Sequence, residues 1–352
     1  MKTILMMHYD LHFYRVPIYE KLFYRLGKRG IRLIIWPIKV SQQDLEMNFQ
    51  IINKKMNIKN FQEVISSYKV DGIINFLNPS KPSYMFYIVF LLLAKIKKID
   101  LFYYGHGLNL ESNSKFLKLF YNLFHFLYKK IILYTPNEKV HLWEIHRKKI
   151  EIAYNTLDLE GRDLLITDSR QKLRSIYGYK EELIVLFSGR IEQRKKLEVL
   201  LDIFEEYEND SKNNIRLLIV GPTNDEEIIR RMKNNEFTNY LGPIYDKKKI
   251  AELFYISDLF CIPGHIGLGL IEAMYWGLPV ITLNVKHAPE IYYLVSNKNG
   301  FLLENKNELS EKFQSIEKDK DLLNNMSSYA KMTYQEKASV EKMLKGFINA
   351  LD

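Results

Sequence analysis

The feature that most constrains this chain is a regular alternation of short apolar runs with helix-length amphipathic segments. The runs are Thr3–Met7, Ile31–Ile38, Val70–Phe76, Asp100–Tyr104, Ile131–Tyr134 and Ile150–Tyr154 in the first half. In the second half they are Leu183–Phe187, Ile215–Val220, Phe237–Leu241, Leu259–Ile262 and Val280–Leu283. Strand–helix alternation predicts parallel sheets covered by helices on both faces, an α/β class of fold. The two blocks part near residues 155–170, which predicts two doubly wound domains. A single barrel is the alternative, but eight evenly spaced strand–helix units are not visible. The 352 residues suffice for two cores at roughly 100–200 residues per domain. The boundaries read as 1–155, 156–333 and a terminal segment, 334–352. That last segment continues a helical spacing (Met332, Tyr334, Val340, Met343, Phe347) with no strand after it, so it must pack back, on the first domain.

Composition removes several classes. Apolar residues make up 47% of the chain, which excludes disorder, and the single Cys261 excludes an internal disulfide and any thiolate cluster. A reducing, cytoplasmic setting is the expectation. The net charge of +9 suggests nucleic acid until it is divided: through Glu151 there are 24 basic and 11 acidic residues, beyond it 27 and 31. The basic half therefore meets something anionic, with a membrane surface, a polyanionic substrate or nucleic acid as candidates. The opening MKTILMMHYD has too short an apolar run for a secretory leader, and the longest run, Tyr84–Ala94, is far short of the about 20 residues a spanning helix needs. No transmembrane span is expected. That run is flanked by Lys81, Lys95, Lys97 and Lys98. A second aromatic stretch carries Lys115, Lys118, Lys129 and Lys130. Both read either as interfacial helices or as core helices with a solvated lysine rim.

In open α/β sheets ligands bind beyond the carboxyl ends of strands, so the loops after strands come first. Ser188-Gly189-Arg190 is followed by Lys195 and Lys196. A glycine there permits close backbone approach, and two cations can converge on a diphosphate. Gly221-Pro222 is a tight turn, and Gly242-Pro243-Ile244-Tyr245-Asp246 offers a backbone edge to a flat base. The stretch from Pro263 to Met274 holds Gly264, His265, Gly267, Leu268, Gly269 and Glu272. Its small residues bare backbone amides at a helix start, where the dipole favours phosphate, and a first-turn carboxylate can accept from sugar hydroxyls. Each loop alone also reads as an ordinary turn.

Together, and in this order, these segments resemble the donor domain of GT-B glycosyltransferases of the retaining family 4 (group 1) type, over roughly residues 155–310. The resemblance implies two Rossmann-like domains facing a central cleft, an acceptor-binding one of residues 1–155 and a nucleotide-sugar-binding one of residues 156–333. It implies that Arg190 and Lys195 hold the donor diphosphate, and that Ser188, Gly189, Gly221, Gly242, Ile244, His265, Gly267, Leu268 and Gly269 line the donor site. Glu272 matches the family glutamate that accepts from the ribose. In the first half, Tyr14 to Tyr19, Gly105-His106-Gly107 and Tyr134 to Glu138 are similar to acceptor-domain landmarks. They imply that His106 faces the reacting centre and that Arg15 meets the acceptor. The implied partners are a nucleotide sugar and a glycan or lipid-linked acceptor in surface polysaccharide or glycolipid synthesis, with peripheral contact to an anionic membrane and no nucleic acid. No cofactor or metal is expected. One departure stands out: the first glutamate of the family's pair should fall at Gly264, so the donor sugar loses its usual contact, and His265 or the bare amides of Gly267–Gly269 are expected to replace it. The loop His8-Tyr9-Asp10-Leu11-His12 also departs from the family's usual glycine pair.

Other chemistries fail. The eight histidines show no ligand spacing, no G-x-S-x-G elbow or G-x-x-x-x-G-K-[ST] loop occurs, and Asp319-Lys320-Asp321 reads as solvated helix surface. The remaining alternatives are a non-hydrolysing sugar-nucleotide epimerase or a phosphorylase of the same architecture, and an inactive nucleotide-binding scaffold.

Overall fold

The computed structural model describes residues 1–40, 47–76, 85–108, 114–207 and 214–352. Lys81 and Tyr84, at the start of the first apolar stretch, lie outside the described residues. The chain divides into two units: unit 1 comprises Met1–Asp158 with Ser339–Asp352, and unit 2 comprises Leu159–Ala338. The divisions thus fall three and five residues later than the sequence pattern places them.

Unit 1 contains β1 (Lys2–Leu11), β2 (Ile31–Val40), β3 (Gln50–Ile51), β4 (Gly72–Asn75), β5 (Asp100–Gly105), β6 (Lys130–Leu133) and β7 (Ile150–Ile152). They pair in parallel in the order β3-β2-β1-β4-β5-β6-β7. Ile4 to Met7 of β1 are buried on both faces, as expected for a central parallel strand. The strand runs on to Leu11, so His8 to Leu11 are strand residues and not the loop that the sequence suggests. Helices α1 (Val16–Gly27), α2 (Ile58–Ser67), α3 (Met85–Ile96) and α4 (Lys115–Phe124) connect the strands. α2 begins where the Asn57 side chain accepts from the Asn60 amide at 2.8 Å, the usual N-cap device. Phe61, Phe90, Leu91 and Tyr121 join one core layer, and α1 lies in the other.

Unit 2 contains α5 (Arg170–Ile176), β8 (Leu183–Ser188), α6 (Leu197–Tyr207), β9 (Ile215–Val220), α7 (Glu226–Asn234), β10 (Thr238–Tyr240), α8 (Lys247–Ile256), β11 (Leu259–Cys261), α9 (Gly269–Trp276), β12 (Val280–Leu283), β13 (Gly300–Leu303), α10 (Lys306–Glu317) and α11 (Lys320–Thr333). Its sheet order is β10-β9-β8-β11-β12-β13, again parallel. The strand order reverses between β8 and β11, which makes the loops after those two strands the walls of the switch-point crevice. Asp319 of the D-x-D is the N-cap of α11, its carboxylate accepting from the Leu322 amide at 2.9 Å.

The chain then returns to unit 1 as α12 (Val340–Leu351). Val340, Met343, Leu344, Phe347 and Leu351 bury one face in the core layer beside β6, β7 and α1. Burying each such side chain contributes about 1.5–3 kcal/mol, so the helix is an integral wall of this core. Gly346 lets it approach β7: a Cβ there would lie 2.0 Å from the Ile152 carbonyl oxygen. Among the described residues, no helix is long and apolar enough to cross a membrane.

Candidate functional site

The carboxyl edge of the unit 2 sheet is built from glycines that have no room for a side chain. At the end of β8, Gly189 turns out at φ +130° and its N–H donates to the Val220 carbonyl at 2.9 Å. Gly221, at φ +146°, passes under it so closely that a Cβ would meet the Gly189 oxygen at 2.0 Å. The Gly221 N–H in turn donates to the Gly242 carbonyl at 2.9 Å. The turns after β8, β9 and β10 are therefore one hydrogen-bonded shelf, and Ile244 sits half-buried on its outer end.

Lys195 reaches this shelf from the single-turn helix Gln193–Lys195. Its Nζ stands where a Cβ on Gly189 would be only 2.8 Å away, and 5.8 Å from the Phe187 ring. Gly189 is thus needed twice, for its backbone angle and for the space the ammonium takes. Burial draws the Lys195 pKa down to about 8, against the pull of Glu192. Among the described residues, no oxygen accepts a hydrogen bond from Nζ. Arg190 does not join Lys195: it is exposed, with Nε 3.8 Å from Glu192. The bond from Arg194 holds the Glu192 carboxyl below its usual range.

The loop after β11 closes the other side. Gly264 donates to the Lys195 carbonyl at 2.9 Å and His265 to the Arg194 carbonyl at 2.7 Å. A Cβ on Gly264 would lie 2.1 Å from the Arg194 oxygen and 2.6 Å from the Lys195 carbonyl carbon. The glycine that stands in place of the first family glutamate is therefore the contact that seats the lysine turn. His265 donates from Nδ1 to the Lys286 carbonyl at 3.0 Å, which spends that nitrogen on the loop. His287 braces the same loop from behind, Nδ1 accepting from the Ile266 amide at 3.2 Å and Nε2 donating to the Leu283 carbonyl at 2.8 Å.

Gly267 and Leu268 lead into α9, whose first turn closes on them: the Leu270 and Ile271 amides donate to the Gly267 and Leu268 carbonyls at 3.0 Å each, so the amides left for a ligand at this helix start are those of Gly267, Leu268 and Gly269. A Cβ on Gly269 would touch Phe260 at 3.1 Å and stand 3.8 Å from the Ser188 carbonyl oxygen, so the helix start lies against the end of β8. One turn on, Glu272 accepts from Arg162 at 2.5 Å. Burial pushes the Glu272 carboxyl up and the Arg162 guanidinium pulls it back. Arg162 is 110 residues away in sequence, and sequence reasoning missed it. Glu290, buried at the far side of Gly267 with a carboxylate oxygen 4.0 Å from where its Cβ would be, was missed as well. A cavity of about 550 Å³ lined by Arg170, Asp258, Trp276 and Lys331 opens at the opposite, amino-terminal edge of the sheet and takes no part in this constellation.

In unit 1, His106 follows β5 between Gly105 and Gly107. Its Nδ1 is 2.7 Å from Oε1 of buried Glu138, whose other oxygen accepts from the Thr135 amide at 2.9 Å. The carboxylate is thus fixed by the backbone, and it fixes the imidazole. The ring packs edge-on against Tyr134 and is 37% exposed, and among the described residues Nε2 has no partner. The Pro136-Asn137-Glu138 turn after β6 was the only sequence signal for Glu138. Arg15, expected to meet an acceptor, is instead a buried tie: its guanidinium donates to Asn155 Oδ1 at 2.5 Å and to the Thr156 carbonyl at 3.4 Å. Its position at the head of α1 explains this, because those bonds tie that helix start to the segment that follows β7.

The family model for glycosyl transferases group 1 matches residues 169–333, the span of the shelf, the lysine turn and α9. An uncharacterised glycosyltransferase of Methanocaldococcus jannaschii is 23% identical over 315 residues, covering 84% of this chain and 77% of that one. The poly(ribitol-phosphate) alpha-N-acetylglucosaminyltransferase of Staphylococcus aureus is 27% identical over 177 residues, covering 49% and 36%. For the leading curated relatives the matched share of the relative's own length runs from 36% to 77%. Among solved structures, an Anabaena protein in complex with UDP superposes with a TM-score of 0.74 at 16% identity, covering 100% of this chain and 99% of that one.

Proposed function

We propose that this chain, whose residues 169–333 match the family model for glycosyl transferases group 1 and whose fold is GT-B, moves a sugar from a nucleotide diphosphate to a hydroxyl of a glycan or lipid-linked acceptor. The observation that carries the reading is the half-buried Lys195 ammonium, without an acceptor among the described residues, seated on the glycine shelf at the switch point of the unit 2 sheet. The donor diphosphate lies there. Lys195 takes up the charge that develops on the leaving diphosphate as the glycosidic bond breaks, and the amides at the start of α9 share it. Arg190 swings from Glu192 onto the same anion. With these positive groups in place, the reading assigns no role to a metal. The free oxygen of Glu272 accepts from the ribose.

His106 supplies the polar contact of the acceptor half, its Nε2 kept outward by Glu138 acting as a positioning residue. The reaction runs with retention at the anomeric carbon, in keeping with the family resemblance. Gly264 leaves the donor sugar without the glutamate seen elsewhere in the family, and the amides of Gly267 to Gly269 take over that contact. The acceptor belongs to surface polysaccharide or glycolipid synthesis, as the relation to a poly(ribitol-phosphate) glycosyltransferase supports.

The test is a transfer assay with Lys195→Ala and Arg190→Ala. Each should lower turnover by about two orders of magnitude, the scale of a lost charge-stabilising donor. Wild-type rates in both variants would remove the assignment. Donor isomerisation without transfer would favour the epimerase alternative.

A further inference from the structure

We propose that the cavity at the amino-terminal edge of the unit 2 sheet is a second, non-catalytic binding site for a neutral oligosaccharide. It lies apart from the donor constellation: Asp258 precedes β11 and Leu278 precedes β12, whereas the glycine shelf follows β8, β9 and β10. At about 550 Å³ it has the size of a ligand pocket. A second cavity of about 490 Å³ shares Arg170, Asp258, Leu323 and Asn324 with it, so the two form one trough along α11, from Lys320 to Lys331. That stretch of helix is about 16 Å long, more than one sugar ring needs.

The walls are aromatic and held in place. Trp276, the last residue of α9, stands between part-buried Tyr255 and Tyr275, with ring centroids 6.1 and 5.3 Å away. Tyr275 is fixed by Asp163, its hydroxyl donating to Oδ1 at 2.6 Å. Arg170 is fixed by donating to Asp258 Oδ1 and to the Ser257 carbonyl, each at 2.6 Å. Gly277 bares the end of α9: a Cβ there would lie 2.5 Å from Lys331 Cε and 2.9 Å from Ser327 Oγ, both on α11. Those two side chains reach this wall because position 277 has none. One donor is left over. The Trp276 Nε1–H is buried, and among the described residues it has no acceptor. Buried donors are paired in finished folds, and a ligand hydroxyl in the cavity would pair this one.

The electrostatics select the class of ligand. An anion would face Asp163, Asp258 and the negative ends of α8 and α9, which stop at Ile256 and Trp276. A cation would face Arg170 and Lys331. The four charges cancel, which leaves hydroxyl, amide and aromatic groups for recognition. Sugar hydroxyls donate and accept at once, which suits Ser327, Asn324 and the indole N–H, and sugar C–H groups pack on the electron-rich faces of aromatic rings. The inference rests on the reading of the chain as a transferase acting on a glycan, a stretch of which the trough would hold away from the donor shelf. The binding test contains no nucleotide sugar, so the two readings fail separately.

The full chain is titrated calorimetrically with glucose, galactose and N-acetylglucosamine, and with a tetrasaccharide of each. We expect at least one tetrasaccharide to bind about tenfold tighter than its monosaccharide, because only the longer ligand fills both cavities. Trp276→Phe keeps an aromatic ring and removes the N–H, and should weaken binding about fivefold. Ser327→Trp fills the trough and should abolish binding. Circular dichroism and melting temperature check that both variants are folded. The inference is overturned if no tetrasaccharide binds, if monosaccharide and tetrasaccharide bind equally, or if binding survives both substitutions. Competition by inorganic phosphate would overturn it too, since the site would then take anions.

Discussion

Gly264→Ala is the substitution in which sterics and function can be read together. Gly264 does not adopt a positive φ, so alanine meets no backbone penalty and only space is at issue. The added Cβ would lie 2.1 Å from the Arg194 carbonyl oxygen, where a carbon and an oxygen need about 3.3 Å. One backbone segment must move by about 1 Å. That stretches the two bonds that hold the lysine turn, Gly264 to Lys195 at 2.9 Å and His265 to Arg194 at 2.7 Å, beyond useful length. Two weakened hydrogen bonds at about 1 kcal/mol each, with the lower end of the usual overpacking cost, give about 3 kcal/mol. For a unit of this size that is a fall of roughly 6–12 °C in melting temperature. Lys195 moves with its turn, so affinity for a nucleoside diphosphate should fall about tenfold to a hundredfold. Gly267→Ala is the control, since its Cβ would meet Ala288 at an ordinary 3.6 Å. Thermal unfolding and calorimetric titration read both effects. A Gly264→Ala protein melting within a degree or two of wild type, or a Gly267→Ala protein that loses as much, would refute the reasoning.

Two predictions concern charge. Lys195 loses its proton near pH 8 in the free protein, and a bound diphosphate stabilises the ammonium, so affinity is fully present below pH 8 and falls as pH rises through it. Titrations at pH 7 and pH 9 check this, and Lys195→Arg, which does not titrate in the range, should remove the slope. Arg162→Gln withdraws the charge that offsets the burial of Glu272, so the carboxyl should titrate higher and nucleotide affinity should drop more at pH 6 than at pH 8. Equal losses at both values would place Arg162 outside the site.

Much of the fold was legible because a parallel strand buried on both faces is an apolar run, and β1, β8 and β9 are unmistakable as such. Two strands were not. β3 is only Gln50–Ile51, and β13 opens with a glycine and exposes Leu302, so neither has the composition of a buried strand. The site divides in the same way. Gly189, Lys195 and Gly264 to Glu272 follow strands, and position alone marks them. What position cannot show is which side chains pair: Arg190 was expected beside Lys195 and instead pairs with Glu192, while Arg162 comes to Glu272 across 110 residues. Gly264 reads in sequence as a lost glutamate and in space as a close backbone contact.

The central claim is that unit 2 binds a nucleoside diphosphate on the shelf beneath Lys195. Thermal unfolding of the wild-type and Lys195→Ala proteins against a panel of nucleoside diphosphates and nucleotide sugars tests it most directly. At a ligand concentration about a hundred times its dissociation constant, binding adds about 2.7 kcal/mol, which raises the melting temperature by roughly 5–11 °C. The account predicts such a shift for at least one member of the panel in the wild-type protein, and its loss in Lys195→Ala. No shift with any member, or a shift that survives the substitution undiminished, would contradict it.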